Sequence, residues 1–184
     1  MEYEIIRSDR RTLAAQIKEG RLIIRAPRRA SSAEIRRFVE QNREWIDTHL
    51  KKAQERERQK EKVEKLTREE TAALAKRAAE VIPERVRHYA PLVGVTYGRI
   101  TIRRQKTRWG SCSKTGDLSF NCLLMLAPEE VVDSVVVHEL CHRKEMNHSP
   151  RFYAEVLRVF PDYKKHSKWL RENGEMLLSR IEEP

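Results

Sequence analysis

Apolar positions along the chain fall into blocks of two different periods. Thr12 to Lys18 and Arg21 to Ala26 alternate on either side of Glu19-Gly20 and predict a β-hairpin, which Tyr3 to Arg7 extends. Ser31 with Glu34 has the form of a capping box. The apolar positions after it, Ile35, Phe38, Val39, Trp45, Ile46 and Leu50, recur at helical spacing and predict one long helix. From Lys51 to Lys65 nearly every residue is charged or polar with both signs mixed, the pattern of an exposed helical spacer. Thr67 with Glu70 is a second capping box, opening a helix through Leu74, Ala78, Val81 and Val86 toward Tyr89.

The C-terminal part switches period twice. Val95 to Arg103 alternates as a strand with Ile100 and Ile102 on one face, Lys114-Thr115-Gly116-Asp117 is a turn, and Leu118 to Met125 is a second alternating run. Val131 to Met146 is expected to be a helix, and Val135, Val136, Val137 and Leu140 make it a buried one. Three residues end it: Asn147 tolerates a left-handed backbone, Ser149 is a good N-cap, and Pro150 suits the first position of a new helix. Phe152, Val156, Leu157 and Phe160 give that helix a narrow apolar face, and Pro161-Asp162 stops it and caps the next. The fold class is therefore α+β. Residues 66–184 form a domain in which a buried helix packs on a small sheet, preceded over residues 1–65 by a hairpin, a helix and the charged spacer.

The buried helix carries the chemistry. His138-Glu139-Leu140-Cys141-His142 is an H-E-x-x-H motif, and on a helix the two histidines stand one turn apart on one face, where both imidazoles reach a single metal ion. Zinc suits that pair, and a catalytic zinc takes a third protein ligand. Glu145 would share the face, but seven residues at about 1.5 Å rise put it roughly 10 Å from His138 along the axis, too far to share an ion held at about 2 Å. His148 reaches the ion provided the helix ends before it, as Asn147, Ser149 and Pro150 indicate. Glu139, between the ligands, is the natural general base: its carboxylate can take a proton from an attacking water and pass it to a leaving amine.

A wider set of residues surrounds this motif. Arg108-Trp109-Gly110-Ser111-Cys112-Ser113, Leu118-Ser119-Phe120-Asn121, Ala127-Pro128, the H-E-x-x-H run, Asn147-His148-Ser149, Phe152, Pro161-Asp162-Tyr163 and Trp169-Leu170 together closely resemble the YgjP-like metallopeptidase family, usually grouped with the SprT-like and WLM-type minimal zincins. The resemblance covers most of residues 95 to 172 and implies a minimal zincin fold. It also implies a zinc-dependent hydrolase, with His138, His142 and His148 as ligands and Glu139 as base. The spacing is similar to that of metzincins as well, but Glu145 occupies their glycine position and no methionine turn follows: after Met146 the next methionine is Met176. In zincins a strand borders the cleft and pairs with an extended substrate. Leu118 to Met125 is the candidate, with Ser119, Asn121 and Leu123 as substrate-lining residues; a covered inner strand is the alternative reading of the same run. Trp109-Gly110 either shapes the cleft or packs, and Tyr163 or His166 could reach an oxyanion or be structural.

Composition narrows the class. No apolar run is long enough to span a bilayer and the start lacks a signal-peptide pattern, so a cytoplasmic protein is expected. Three cysteines, Cys112, Cys122 and Cys141, cannot all pair and are expected as thiols. Cys141 sits between the ligands but on the other side of the helix, as a small buried residue. A net charge of +10 with pI near 9.7 implies attraction to polyanions. The expected partner is a protein or peptide substrate, with association to nucleic acid through the basic surface as a further expectation. Two other functions stay open: a zinc hydrolase of a non-peptide substrate such as a nucleotide phosphoanhydride, and a metal-stabilised module without turnover.

Overall fold

A computed structural model describes residues 2–181 and divides the chain into two compact units, Met1–Val63 and Glu64–Pro184. In the first unit β1 (Glu4–Ser8), β2 (Ala14–Lys18) and β3 (Arg21–Pro27) form a sheet in the order β1-β3-β2. The hairpin is β2 with β3; β1 adds to the other edge of β3, in parallel. Glu19 and Gly20 both take positive φ, 50° and 70°, the two-residue turn whose twist matches the flanking strands. The expected single helix is two, α1 (Ser32–Gln41) and α2 (Arg43–Glu61), because Asn42 bends the backbone and turns its Nδ2 back onto the Phe38 carbonyl at 2.8 Å. Leu22, Ile24, Ala26, Ile35, Val39 and Ile46 make the core of this unit. Trp45 does not join them. It lies 46 % exposed, stacked on His49 with ring centroids 4.2 Å apart.

The second unit begins with α3 (Arg68–Val93), capped by Thr67 and Glu70 as the capping box requires and closed by Gly94 at φ 79°. Its buried stripe is Ala78, Ile82, Val86, Ala90 and Val93, so Ile82 takes the inward place expected of Val81. A three-stranded sheet follows from β4 (Ile100–Arg103), β5 (Gly110–Cys112) and β6 (Leu118–Asn121), in the order β4-β6-β5. Both sequence runs overestimate their strands. β4 starts only at Ile100, and β6 ends at Asn121, whose Oδ1 accepts from the Leu123 N–H at 3.1 Å and starts a 3₁₀ turn, Cys122–Leu126.

Then come α4 (Glu129–Cys141), α5 (Pro150–Val159) and α6 (Tyr163–Ser179). α4 is buried along nearly its whole length, packed on α3, the sheet, α5 and α6. Its one deeply placed acid off the site, Asp133, is held by Arg85 at 3.1 Å and by the Tyr89 hydroxyl at 3.1 Å, which ties α4 to α3; burial and the adjacent carboxylate push the Tyr89 phenol up to about 12. No helix among the described residues is long and apolar enough to cross a membrane.

Candidate metal centre

α4 ends earlier than its apolar pattern suggests. The helix stops at Cys141 with His142 as C-cap, and the next turn tightens: Arg143 N–H bonds to the Leu140 carbonyl at 3.0 Å and Lys144 N–H to that of Cys141 at 3.0 Å. Asn147 is not left-handed, since Glu19 is the one non-glycine residue with positive φ among the described residues. The reversal is made by those short bonds together with Ser149 N–H to the Asn147 carbonyl at 2.7 Å. Ser149 then caps α5 by accepting from the Phe152 N–H at 3.2 Å, with Pro150 in the first turn. The Arg143 guanidinium pins the corner to the rest of the unit by donating to the carbonyls of Thr96 and Lys114, both at 3.1 Å.

This corner brings His148 back to the helix. The three imidazoles of His138, His142 and His148 meet, with ligand nitrogens all within 4.8 Å of one another. His138 Nε2 stands 3.2 Å from His142 Nε2 and 3.0 Å from His148 Nε2, close to the ~3.3 Å that separates two nitrogens bound tetrahedrally at about 2.05 Å. Their tautomers favour a cation. His142 Nδ1 lies 3.1 Å from the Glu145 carbonyl, an acceptor only, so the ring donates there and its Nε2 carries a lone pair. His138 Nδ1 lies 2.8 Å from the Tyr163 hydroxyl, and donating to it likewise leaves Nε2 bare. Lone pairs facing each other at such distances repel unless a positive ion sits between them, and a set of three neutral imidazoles is a donor set for zinc. The residues therefore fit the metal that H-E-x-x-H suggests. Phe152 lies against all three rings, with centroids 4.5 to 5.0 Å away, and fixes their positions. Burial, reinforced by the other two histidines, holds His138 down to about 3, and burial lowers His142 as well, so protons compete poorly for these nitrogens.

Glu139 is 6 % exposed and opens on a cleft of about 250 Å³. Burial pushes its carboxyl up to about 8. Thr107 to Gly110 form one wall of the cleft and Tyr163, Ser167 and Leu170 the other, over a floor that includes His138. Gly110 faces Glu139 directly. Trp109 packs its ring on Gly174 of α6, where a Cβ would stand 3.1 Å from the indole. The Trp109-Gly110 pair thus both packs and shapes the cleft.

Three expected substrate residues are placed otherwise. β6 is the middle strand, so neighbours already take both of its edges, and it has none free for a substrate. Leu123 is fully buried with Leu66 and Ile181, and Ser119 lies half-buried opposite Ser111. Asn121, 1 % exposed, donates through Nδ2 to the carbonyls of Gln105 at 2.6 Å and Arg108 at 3.0 Å, which holds the loop that walls the cleft. The edges of the sheet are β4 and β5, and β5 is the one beside Glu139. Sequence periodicity does not report strand order, and the run at Leu118 alternates alike at an edge or in the middle of a sheet. Tyr163 is set against His138 on the side of its ring away from the converging Nε2 atoms, while His166 packs edge-on to Phe160 at 5.5 Å. Glu145 contributes its carbonyl rather than its side chain. Cys122 and Cys141 are buried thiols and Cys112 a partly buried one; burial pushes Cys141 up to about 11.

No curated protein matches the chain. Among solved structures it is similar to the metallopeptidase zymogen of Pyrococcus abyssi abylysin, at 24 % identity over 50 % of this chain and 94 % of that one, with a TM-score of 0.45. It is similar also to the metallopeptidase zymogen of Methanocaldococcus jannaschii jannalysin, at 23 % identity over 50 % and 95 %, again with a TM-score of 0.45. The model of the YgjP-like metallopeptidase domain matches residues 11–74 and 64–173, and the chain belongs to the YgjP-like family.

Proposed function

We propose that the chain is a zinc-dependent peptidase in which His138, His142 and His148 hold the ion and Glu139 is the general base. The observation that carries this reading is the convergence of three imidazole Nε2 atoms beside a buried carboxylate that opens on a cleft. Zinc held there would polarise a scissile carbonyl and lower the pKa of a water. Glu139, whose burial already raises its proton affinity, takes the proton as that water attacks and gives it to the leaving amine. Tyr163 and the Glu145 carbonyl keep His138 and His142 in the tautomers that present Nε2.

Substrate alignment falls to β5. Asn121 N–H bonds to the Trp109 carbonyl, so in this antiparallel pair the main-chain groups of Trp109 and Ser111 face β6, while those of Gly110 and Cys112 turn to the outer edge of β5. An extended peptide can add there next to Glu139. A glycine-rich loop of the kind that cradles phosphates does not border the cleft, and the edge strand favours a peptide over a nucleotide.

Glu139→Gln keeps the side-chain shape but cannot accept a proton near neutral pH. In this variant zinc stays bound while peptide turnover falls by about two to four orders of magnitude. Metal analysis and turnover on one preparation test this, and near-parent activity in a zinc-loaded E139Q protein would falsify the mechanism.

A further inference from the structure

The cleft beside Glu139 has one cationic wall that nothing among the described residues neutralises. Arg108 lines it, and no carboxylate other than Glu139 does. The Arg108 guanidinium has no hydrogen-bond or ion-pair partner among the described residues. Its base is nonetheless fixed, because the Arg108 carbonyl is one of the two that buried Asn121 holds. A free guanidinium on an anchored main chain is an arrangement suited to recognition rather than to stability.

The chain segments that flank it are rich in basic residues. No aspartate or glutamate stands between Glu84 and Asp117, whereas Arg103 and Arg104 lie exposed just before the cleft wall. On α6, beside the residues that line the cleft, Lys164, Lys165, Lys168 and Arg171 are exposed between Asp162 and Glu172, which Lys168 meets at 3.8 Å. The interior differs: Trp109, Val135 and Leu170 make it largely apolar, and about 250 Å³ is room for one side chain. An apolar stem ending in a carboxylate matches both features. Single-stranded nucleic acid matches them less well, because it also wants free aromatic faces for its bases. Trp109 is packed on Gly174 and Tyr163 is bonded to His138.

We propose that this cleft is a specificity pocket for an acidic substrate side chain, glutamate above all, with Arg108 as the residue that reads it. The proposal rests on the peptidase reading of the site and adds to it a substrate class: peptides with an acidic residue beside the scissile bond.

The test uses the zinc-loaded full chain and internally quenched peptides identical but for Glu, Gln or Lys placed in turn at each of the positions flanking the scissile bond. At one position kcat/KM for Glu should exceed that for Gln by about 10- to 100-fold, the worth of a good charge-assisted pair. Arg108→Ala should bring that ratio close to one, Arg108→Glu should turn the preference toward Lys, and Arg108→Lys should leave an intermediate ratio, with zinc content unchanged in all three. Binding of the same peptides to zinc-loaded E139Q protein is followed separately by fluorescence anisotropy. Equal kcat/KM for the Glu and Gln peptides at every position, or a ratio unmoved by Arg108→Glu, would overturn the proposal. If no peptide is cleaved but the Glu peptide binds in an Arg108-dependent way, the peptidase reading falls and the acidic pocket stands. If none is cleaved and none binds preferentially, both fall. Displacement of the Glu peptide by a single-stranded oligonucleotide at lower concentrations than by unlabelled Glu peptide would assign Arg108 to nucleic acid and overturn the proposal as well.

Discussion

A Cβ on Gly110 would stand 2.6 Å from Oε1 of Glu139 and 2.7 Å from its Cγ, so the missing side chain at the first residue of β5 is what makes room for the carboxylate. The contact reaches the inner carbons of Glu139 as well as its tip, and Glu139 is too buried to swing aside.

Gly110→Ala should therefore displace the carboxylate without touching the histidines. Zinc content should match the parent while turnover falls by about 10- to 100-fold, the usual cost of misplacing a catalytic group by about 1 Å. Parent turnover in a well-folded G110A protein would mean that Glu139 works from another position.

His148 and Tyr163 separate a proposed ligand from its proposed support. His148→Ala removes a nitrogen that lies 3.0 Å from His138 Nε2, whereas Tyr163→Phe removes only the hydroxyl behind His138 Nδ1. Titration against a zinc chelator should show Y163F weakened by about 10- to 100-fold, the range for partners behind the ligands, and H148A weakened by more than that. Occupancy of H148A equal to the parent would pass the third-ligand role to another residue.

These roles differ in how far the sequence discloses them. His138 and His142 are legible because a helix fixes their spacing, and the corner that returns His148 is legible in Ser149 and Pro150, which cap and open α5. Its mechanism is less so, since Asn147 offers a left-handed turn that the tight bonds after Leu140 make unnecessary. Strand order is not a local property: the alternation at Leu118 is the same whether β6 lies at an edge or in the middle. Gly110, Asn121 and Tyr163 act on partners 13 to 29 residues away in the chain, contacts that periodicity and capping do not encode. The break at Asn42 hides for a related reason, because apolar spacing runs on through a bend of one residue.

Without metal, the pH dependence of stability should carry the mark of Glu139. Its folded pKa is raised to about 8 from 4.5, so the stability it confers is complete below 4.5 and is lost as pH rises through 8. His138 acts oppositely: lowered to about 3 from 6.5, it has no effect above 6.5 and costs stability as pH falls toward 3. Between pH 6.5 and 8 only Glu139 contributes, and the chelated parent should lose on the order of 2 kcal/mol there. Urea unfolding of E139Q over the same interval should be flat; an equal slope in both proteins would place the titrating group elsewhere.

Asn121 shows how a buried amide can govern a cleft it does not enter. Its Nδ2 serves the carbonyls of Gln105 and Arg108, and its Oδ1 serves the N–H of Leu123. Asn121→Ala strands all three groups, which should cost about 2 to 3 kcal/mol, and frees the wall that carries Thr107 and Arg108. Peptide KM should rise by about tenfold with zinc content unchanged, because the three histidines proposed to hold the metal stand on α4 and the corner beyond it. Asn121→Asp discriminates further. It keeps the acceptor for Leu123 but turns a carboxylate oxygen toward two carbonyls, so it should be the less stable of the two variants despite its closer shape. An N121D protein at least as stable as N121A, with parent KM, would show that the loop is held by something other than this amide.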